Sequence, residues 1–124
     1  MAIFTKTGNI FGDDYTVRSL TAHNVARYNP AMIRNFNCKE TVKIWQGTVS
    51  TKLPGDIQKV ARRKLRILNN AKSLLDLKIP PNNQLEALKG NRKGQYSIRI
   101  NRQWRICFQW EQGQADNVEI VDYH

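Results

Sequence analysis

The chain has 124 residues, 40% of them hydrophobic, enough for one domain with a small core and too few for two ordinary ones. Lysine and arginine number 20 against 10 aspartates and glutamates, a formal charge of +10, which argues for a polyanionic partner: RNA, DNA, an acidic membrane surface or an acidic protein. No run approaches the ~18 apolar residues of a membrane span, which argues against a transmembrane protein.

Residues 1–31 read differently from the rest. Met1-Ala2-Ile3-Phe4 suits a short strand, and Leu20, Val25 and Tyr28 have weak helical spacing before Asn29-Pro30. His23 is a lone surface histidine. Asp13 and Asp14, with no apolar core before a small-residue cleavage site, argue against a signal peptide, so a cytoplasmic location is expected. The segment is read as an N-terminal extension, with a flexible arm, an alternative start and a non-native addition all left open. Met32 then begins a self-contained domain, 32–124.

Ile33-Arg34-Asn35-Phe36 alternates and predicts an edge strand. Cys38 to Gln46 predicts a short helix stopped by Gly47. Pro54-Gly55-Asp56 opens the clearest helix, with Ile57, Val60, Ala61, Leu65, Leu68 and Ala71 on one buried stripe. Lys59, Arg62, Arg63 and Arg66 fill its other faces, as expected of a helix lying on the back of a sheet. Leu74, Leu75, Leu77 and Ile79 form an apolar turn, stopped by Pro80-Pro81-Asn82-Asn83. Leu85-Glu86-Ala87-Leu88 starts the sheet. Cys38 and Cys107 lack metal-ligand spacing or a disulfide framework and read as reduced core residues.

Two strands follow a basic loop, Lys89-Gly90-Asn91-Arg92-Lys93-Gly94. In Gln95 to Ile100, Tyr96, Ile98 and Ile100 share one face, with Gln95, Ser97 and Arg99 on the other. In Trp104 to Trp110, Trp104, Ile106, Phe108 and Trp110 oppose Arg105, Cys107 and Gln109. A three-residue connection, 101–103, pairs Arg99 with Arg105; a two-residue one would put Arg105 among Tyr96, Ile98 and Ile100, which burial rejects. Two arginines side by side repel. The pair calls for a carboxylate, from Asp122 or Glu119, or for an anion such as an RNA phosphate, whose oxygens match the guanidinium fork. The loop has no phosphate-binding GxxxxGK[ST] pattern and taken alone is a basic turn. Beside Arg99 and Arg105, its Arg92 and Lys93 extend one RNA-binding patch.

A last strand, about Asn117 to Val121, leads into Asp122-Tyr123-His124. A histidine, a carboxylate and several arginines around one phosphate suffice for RNA cleavage: a base takes the 2′-hydroxyl proton, cations stabilise the phosphorane, and an acid protonates the 5′-oxygen. Histidine suits either proton-transfer role near neutral pH.

The run LKGNRKGQYSIRINRQWRICFQW, with the ending VDYH, resembles the HigB toxins of the RelE/ParE superfamily over about Met32 to His124. The resemblance implies an α+β, microbial-RNase-like fold, with two N-terminal helices packed on one face of a small twisted, mainly antiparallel sheet. It implies a ribosome-dependent mRNA endonuclease working without metal or cofactor, and neutralisation by a HigA-like helix-turn-helix antitoxin that alone contacts operator DNA. It implies no membrane partner. Residue by residue, it carries site roles to Lys89, Arg105, Asp122, Tyr123 and His124. Relatives often have histidine just before the LKG run, where this chain has Glu86. YoeB-like toxins use a glutamate base near this position, so Glu86 as base with His124 as acid is the implied variant. A salt bridge from Glu86 to Lys89 or Arg92 is the plainer reading. A ParE-like gyrase binder and a non-cleaving RNA or ribosome binder are the alternatives to the nuclease.

Overall fold

The computed structural model describes residues 2–6, 15–19 and 32–123. In chain order it contains β1 (Ala2–Lys6), β2 (Tyr15–Ser19), β3 (Met32–Ile33), β4 (Asn35–Phe36), α1 (Lys39–Gln46), α2 (Gly55–Asn70), α3 (Leu74–Lys78), β5 (Glu86–Ala87), β6 (Gln95–Arg99), β7 (Trp104–Glu111) and β8 (Gln114–Asp122). The strands join in one mixed, mostly antiparallel sheet of order β1-β2-β4-β8-β7-β6-β5, and β3 also pairs with β8. The helices pack on one face, so the class is α+β. Among the described residues no helix is long and apolar enough to cross a membrane. The helical spacing of Leu20 to Tyr28 and the lone His23 lie outside the described residues.

The central hairpin has the register that alternation requires. Tyr96 pairs with Phe108, Ile98 with Ile106 and Arg99 with Arg105, and the Ile100 N–H donates to the Trp104 carbonyl at 2.9 Å. A one-residue slip would exchange Ile98 and Ile106, both fully buried, with the arginine row. Those isoleucines join Phe36, Phe108, Val118, Leu65, Leu68 and Leu77 in a core between α2 and the sheet.

Three elements depart from expectation. The predicted edge strand 33–36 is split into two short strands that both run parallel to β8: β3 pairs with β8 alone, whereas β4 is interior, with β2 on its other side. Such long-range parallel pairing leaves no local signature. The Arg34 guanidinium anchors it, reaching Asp116 of β8 at 2.6 and 2.7 Å. β8 starts at Gln114, earlier than predicted, because a bulge interrupts it. Pairing shifts by one between Cys107↔Glu119 and Gln109↔Asp116, and Asn117 takes up the extra residue at φ 53°. In α2, Ile57, Ala61, Leu65 and Leu68 are buried as expected, Val60 is half-buried, and Lys64 is buried.

Helix α1 stops where predicted. Gly47 adopts φ 84° and donates its N–H to the Ile44 carbonyl at 3.0 Å, while Thr48 reaches back to Lys43 at 2.8 Å. Glu40 of this helix is buried and accepts from the Ser50 hydroxyl at 2.6 Å. That bond, with help from Lys43, holds the Glu40 carboxyl below the usual glutamate range. A depressed carboxylate contributes stability above its unfolded pKa, and the contribution is lost as pH falls through the folded one. The melting-temperature gap between wild type and Ser50→Ala should therefore be widest near neutral pH and close progressively below about pH 4.3, the ordinary glutamate value. Melting curves from pH 7 to pH 3 check this.

Candidate active site on the open sheet face

The face of the sheet away from the helices carries the candidate site. In antiparallel pairs, directly opposed residues share a face. Glu86 opposes Ser97, Arg99 opposes Arg105, Arg105 opposes Val121 and Cys107 opposes Glu119. These side chains therefore lie together, joined two residues past Val121 by Tyr123. The Tyr123 N–H donates to the Gln103 carbonyl at 2.6 Å, which fixes the chain after β8.

Arg105 is the centre. It is 7% exposed, yet its bonds are to neutral acceptors. Nε donates to the Ser97 hydroxyl at 2.6 Å, and Nη2 donates to the Gln84 carbonyl and to the Ser97 carbonyl at 3.3 Å. The guanidinium sits 5.6 Å from the centre of the Tyr123 ring, a cation–π distance. Among the described residues the nearest carboxylate is that of half-exposed Glu86, 3.8 Å from Nε. Arg105 is thus oriented by neutral groups and only loosely neutralised.

This corrects two expectations. The carboxylate that relieves the Arg99/Arg105 repulsion is Glu86, and neither Asp122 nor Glu119 supplies it. Glu119 is taken by Arg92 at 3.0 Å, and the Asp122 carboxylate accepts from Gln103 at 3.0 Å. Equally, Glu86 pairs with Arg105 in place of Lys89 or Arg92. Arg99 has no carboxylate within ion-pair reach among the described residues, so its side of the pair stays open to an anion.

The face is also less polar than alternation predicts. Ser97 and Cys107 are fully buried beneath it, and burial pushes the Cys107 thiol up, against the pull of Arg92 and Arg105. Cys107 is a packed thiol without a thiolate's reactivity. Both cysteines are free, Cys107 buried and Cys38 half-buried.

The remaining predicted residues divide. Asp122 opposes Trp104, so strand parity sends it to the helix side, away from Arg105. Arg92 lies on the site face but is bound to Glu119 and to Gln95, each at 3.0 Å. Lys89 and Lys93 are exposed beside the short turn Gly90–Arg92. That turn adjoins Gln95, four residues along β6 from Arg99, or about 13 Å at the strand rise of ~3.3 Å. The cations form a track along the strand more than one cluster. His124 lies outside the described residues. Sequence reasoning missed Ser97 as the arginine's acceptor, although its pairing on the Arg105 face was a usable signal. It also missed the Gln84 carbonyl, whose position depends on a left-handed residue with φ 43°. A cavity of about 290 Å³ between α1 and α2, lined by Ile44, Val49, Gln58 and Arg62 among others, lies on the helix side and shares no residue with this face.

Residues 34–124 match the family described as RelE-like toxin of type II toxin–antitoxin system HigB. The chain is 49% identical over 68 residues to Toxin HigB-1 of Vibrio cholerae, covering 55% of this chain and 72% of that one. It is 32% identical over 97 residues to the Endoribonuclease HigB of Proteus vulgaris, covering 75% of this chain and all of that one. An uncharacterized protein of Haemophilus influenzae is 35% identical over 74 residues, covering 60% of this chain and 73% of the relative.

Proposed function

Because the chain belongs to the HigB-like family of RelE-like toxins of type II toxin–antitoxin systems, we propose that it is an endoribonuclease that cuts mRNA on the translating ribosome. The observation that carries this reading is Arg105. It is a buried, rigidly held and weakly neutralised guanidinium beside Arg99, which has no carboxylate within ion-pair reach among the described residues, on the open face of the sheet. Such a group stabilises charge that develops on a phosphate without first reorganising.

In the proposed reaction Glu86 takes the proton from a ribose 2′-hydroxyl. The 2′-oxygen attacks the adjacent phosphorus, and negative charge grows on the phosphoryl oxygens facing Arg105 and Arg99. The bond from phosphorus to the 5′-oxygen breaks, leaving a 2′,3′-cyclic phosphate, and His124 delivers a proton to the departing 5′-oxygen. Tyr123 is 38% exposed; one side of its ring faces Arg105, and the remainder is available for a base to stack on. Lys89, Arg92 and Lys93 hold backbone phosphates further along β6, and Asp122 supports the chain end through Gln103 rather than touching RNA.

We place the toxin domain at 32–124, with 1–31 as an extension of it. A toxin of a type II system has a cognate antitoxin; here a HigA-like helix-turn-helix protein is proposed, with the cytoplasm, where ribosomes translate, as the site of action. The test is to map mRNA 5′ ends after induction of wild type and of His124→Ala. New ends at ribosome-positioned sites are expected for the wild type only, together with growth arrest. Intact transcripts alongside arrest and DNA-damage signalling would overturn the nuclease reading in favour of gyrase poisoning.

A further inference from the structure

Lys64 is an unusual core residue. It is 5% exposed, packed among the residues that α2 turns toward the sheet, and no carboxylate lies within ion-pair reach of it among the described residues. Burial, with the nearby positive charges of Arg63 and Arg99, holds its ammonium below the ordinary lysine range. Since the unfolded chain binds that proton more readily, the lysine weakens the fold at neutral pH, and stability rises as pH climbs through its folded pKa. A buried cation without a counter-charge is costly, and an apolar side chain of similar length would pack there more favourably.

What the cation holds leads to the site. Its Nζ donates to Asn83 Oδ1 at 2.5 Å. Asn83 is fully buried and is itself tied twice: Nδ2 donates to the Leu77 carbonyl and the backbone N–H to the Pro80 carbonyl, each at 3.0 Å. These bonds pin the tight turn Pro81–Asn83. The next residue, Gln84, is forced to φ 43°, a left-handed conformation that a side-chain-bearing residue adopts at a cost. In that conformation its carbonyl meets Arg105 Nη2, and two residues later Glu86 stands 3.8 Å from Arg105 Nε. One unbroken run of bonds thus connects α2, behind the sheet, to the guanidinium on its open face.

We propose that Lys64 is a positioning residue, which through Asn83 clamps the turn that sets the Gln84 carbonyl and the Glu86 carboxylate on Arg105. Of the two acceptors of Arg105 Nη2, the Ser97 carbonyl is set by β6, so the one left to fix is the Gln84 carbonyl. The acceptor belongs to a turn that has little regular pairing of its own; the Lys64–Asn83 bond supplies the anchorage. The kinetic consequence rests on the endoribonuclease reading, and the geometric one does not.

Two measurements on the whole protein test the clamp. The first is hydrogen exchange of the Arg105 Nε–H by NMR. In the wild type this proton is buried against Ser97 and should exchange slowly. Lys64→Met keeps the aliphatic stem and removes the ammonium; Lys64→Gln is a second variant, too short to reach Asn83. In either, the proton should exchange at least about tenfold faster, while the sheet amides keep their wild-type shifts, as a coupling through one bonded network predicts. The second is single-turnover cleavage of ribosome-bound mRNA. The rate at saturation should fall about tenfold or more with half-saturation unchanged, and Lys64→Met should cause no further loss in an Arg105→Ala background. Unchanged exchange in a folded variant, losses that multiply in the double variant, or failure of both variants to fold would overturn the positioning role. Faster exchange with a wild type that never cleaves would uphold the clamp and overturn the nuclease reading.

Discussion

Replacing Arg105 by alanine is expected to slow mRNA cleavage by roughly 10²–10³-fold, the loss typical when one preorganised charge-stabilising donor is removed. The effect should fall on the chemical step. Arg105 is buried, and Ser97 and Gln84 consume three of its hydrogen-bonding directions, so it adds little to the first capture of a substrate. Arg99 is more exposed and lacks an ion-pair partner among the described residues, so Arg99→Ala should weaken binding more than the maximal rate. Single-turnover kinetics on purified ribosomes separate the two. Arg105→Lys should rescue little, because an ammonium cannot hold Ser97 and Gln84 at once and still face a phosphate. Removing the guanidinium also leaves the Ser97 hydroxyl and the Gln84 carbonyl short of a donor, at about 1–3 kcal/mol each if they stay dry. Melting curves must accompany the kinetics. A variant that is folded at the assay temperature and cleaves at the wild-type rate would remove Arg105 from the mechanism.

The part of this site that was legible in the sequence is the part governed by alternation. Ile98 and Ile106 must be buried, and that requirement alone puts Arg99 opposite Arg105 and sends both away from the helices. Glu86 joins that face because β5 pairs with β6 and sets it opposite Ser97, a register that alternation alone does not give. The family resemblance over Met32 to His124 also pointed to Arg105 and Tyr123, and the match over residues 34–124 bears out the family.

What stayed hidden depends on contacts that no local pattern encodes. Asp122 and Tyr123 are neighbours in sequence, and a strand sends neighbours to opposite faces; only the register with Trp104 decides which one joins Arg105. The bulge at Asn117 resets that parity within β8, so counting back from the chain end misplaces everything before it. The Gln84 carbonyl is a backbone group, aimed by a dihedral and not by a residue type. Lys64 is a different failure. Ala61, Lys64, Leu65 and Leu68 fall at helical spacing on one stripe, so the position reads as core while the residue reads as surface. Position prevailed, because the buried ammonium found an acceptor in Asn83. A polar residue at a core position is a local conflict of the kind that sites tolerate and ordinary packing avoids.

Glu86 gives the second large effect, because its two possible duties separate by substitution. As general base, its carboxylate must accept a proton, and removing such a group costs typically 10²–10⁴-fold in rate. As a counter-charge to Arg105 at 3.8 Å and half exposed, it would contribute at most about 1 kcal/mol, as screened ion pairs do. Glu86→Gln keeps the length and an oxygen that can face Arg105 but cannot take up a proton at neutral pH. The expected result is a loss of at least about 10²-fold in single-turnover rate, with ribosome binding and melting temperature near wild type. Glu86→Asp keeps the carboxylate on a shorter stem and should fall between the two. The contrast with Lys64→Met sharpens the reading. That variant should loosen Arg105 and slow the reaction through geometry, whereas Glu86→Gln should slow it with the Arg105 Nε–H still protected. If Glu86→Gln cleaves within a few-fold of wild type, Glu86 is only the partner of Arg105, and the proton must leave the 2′-hydroxyl by another group.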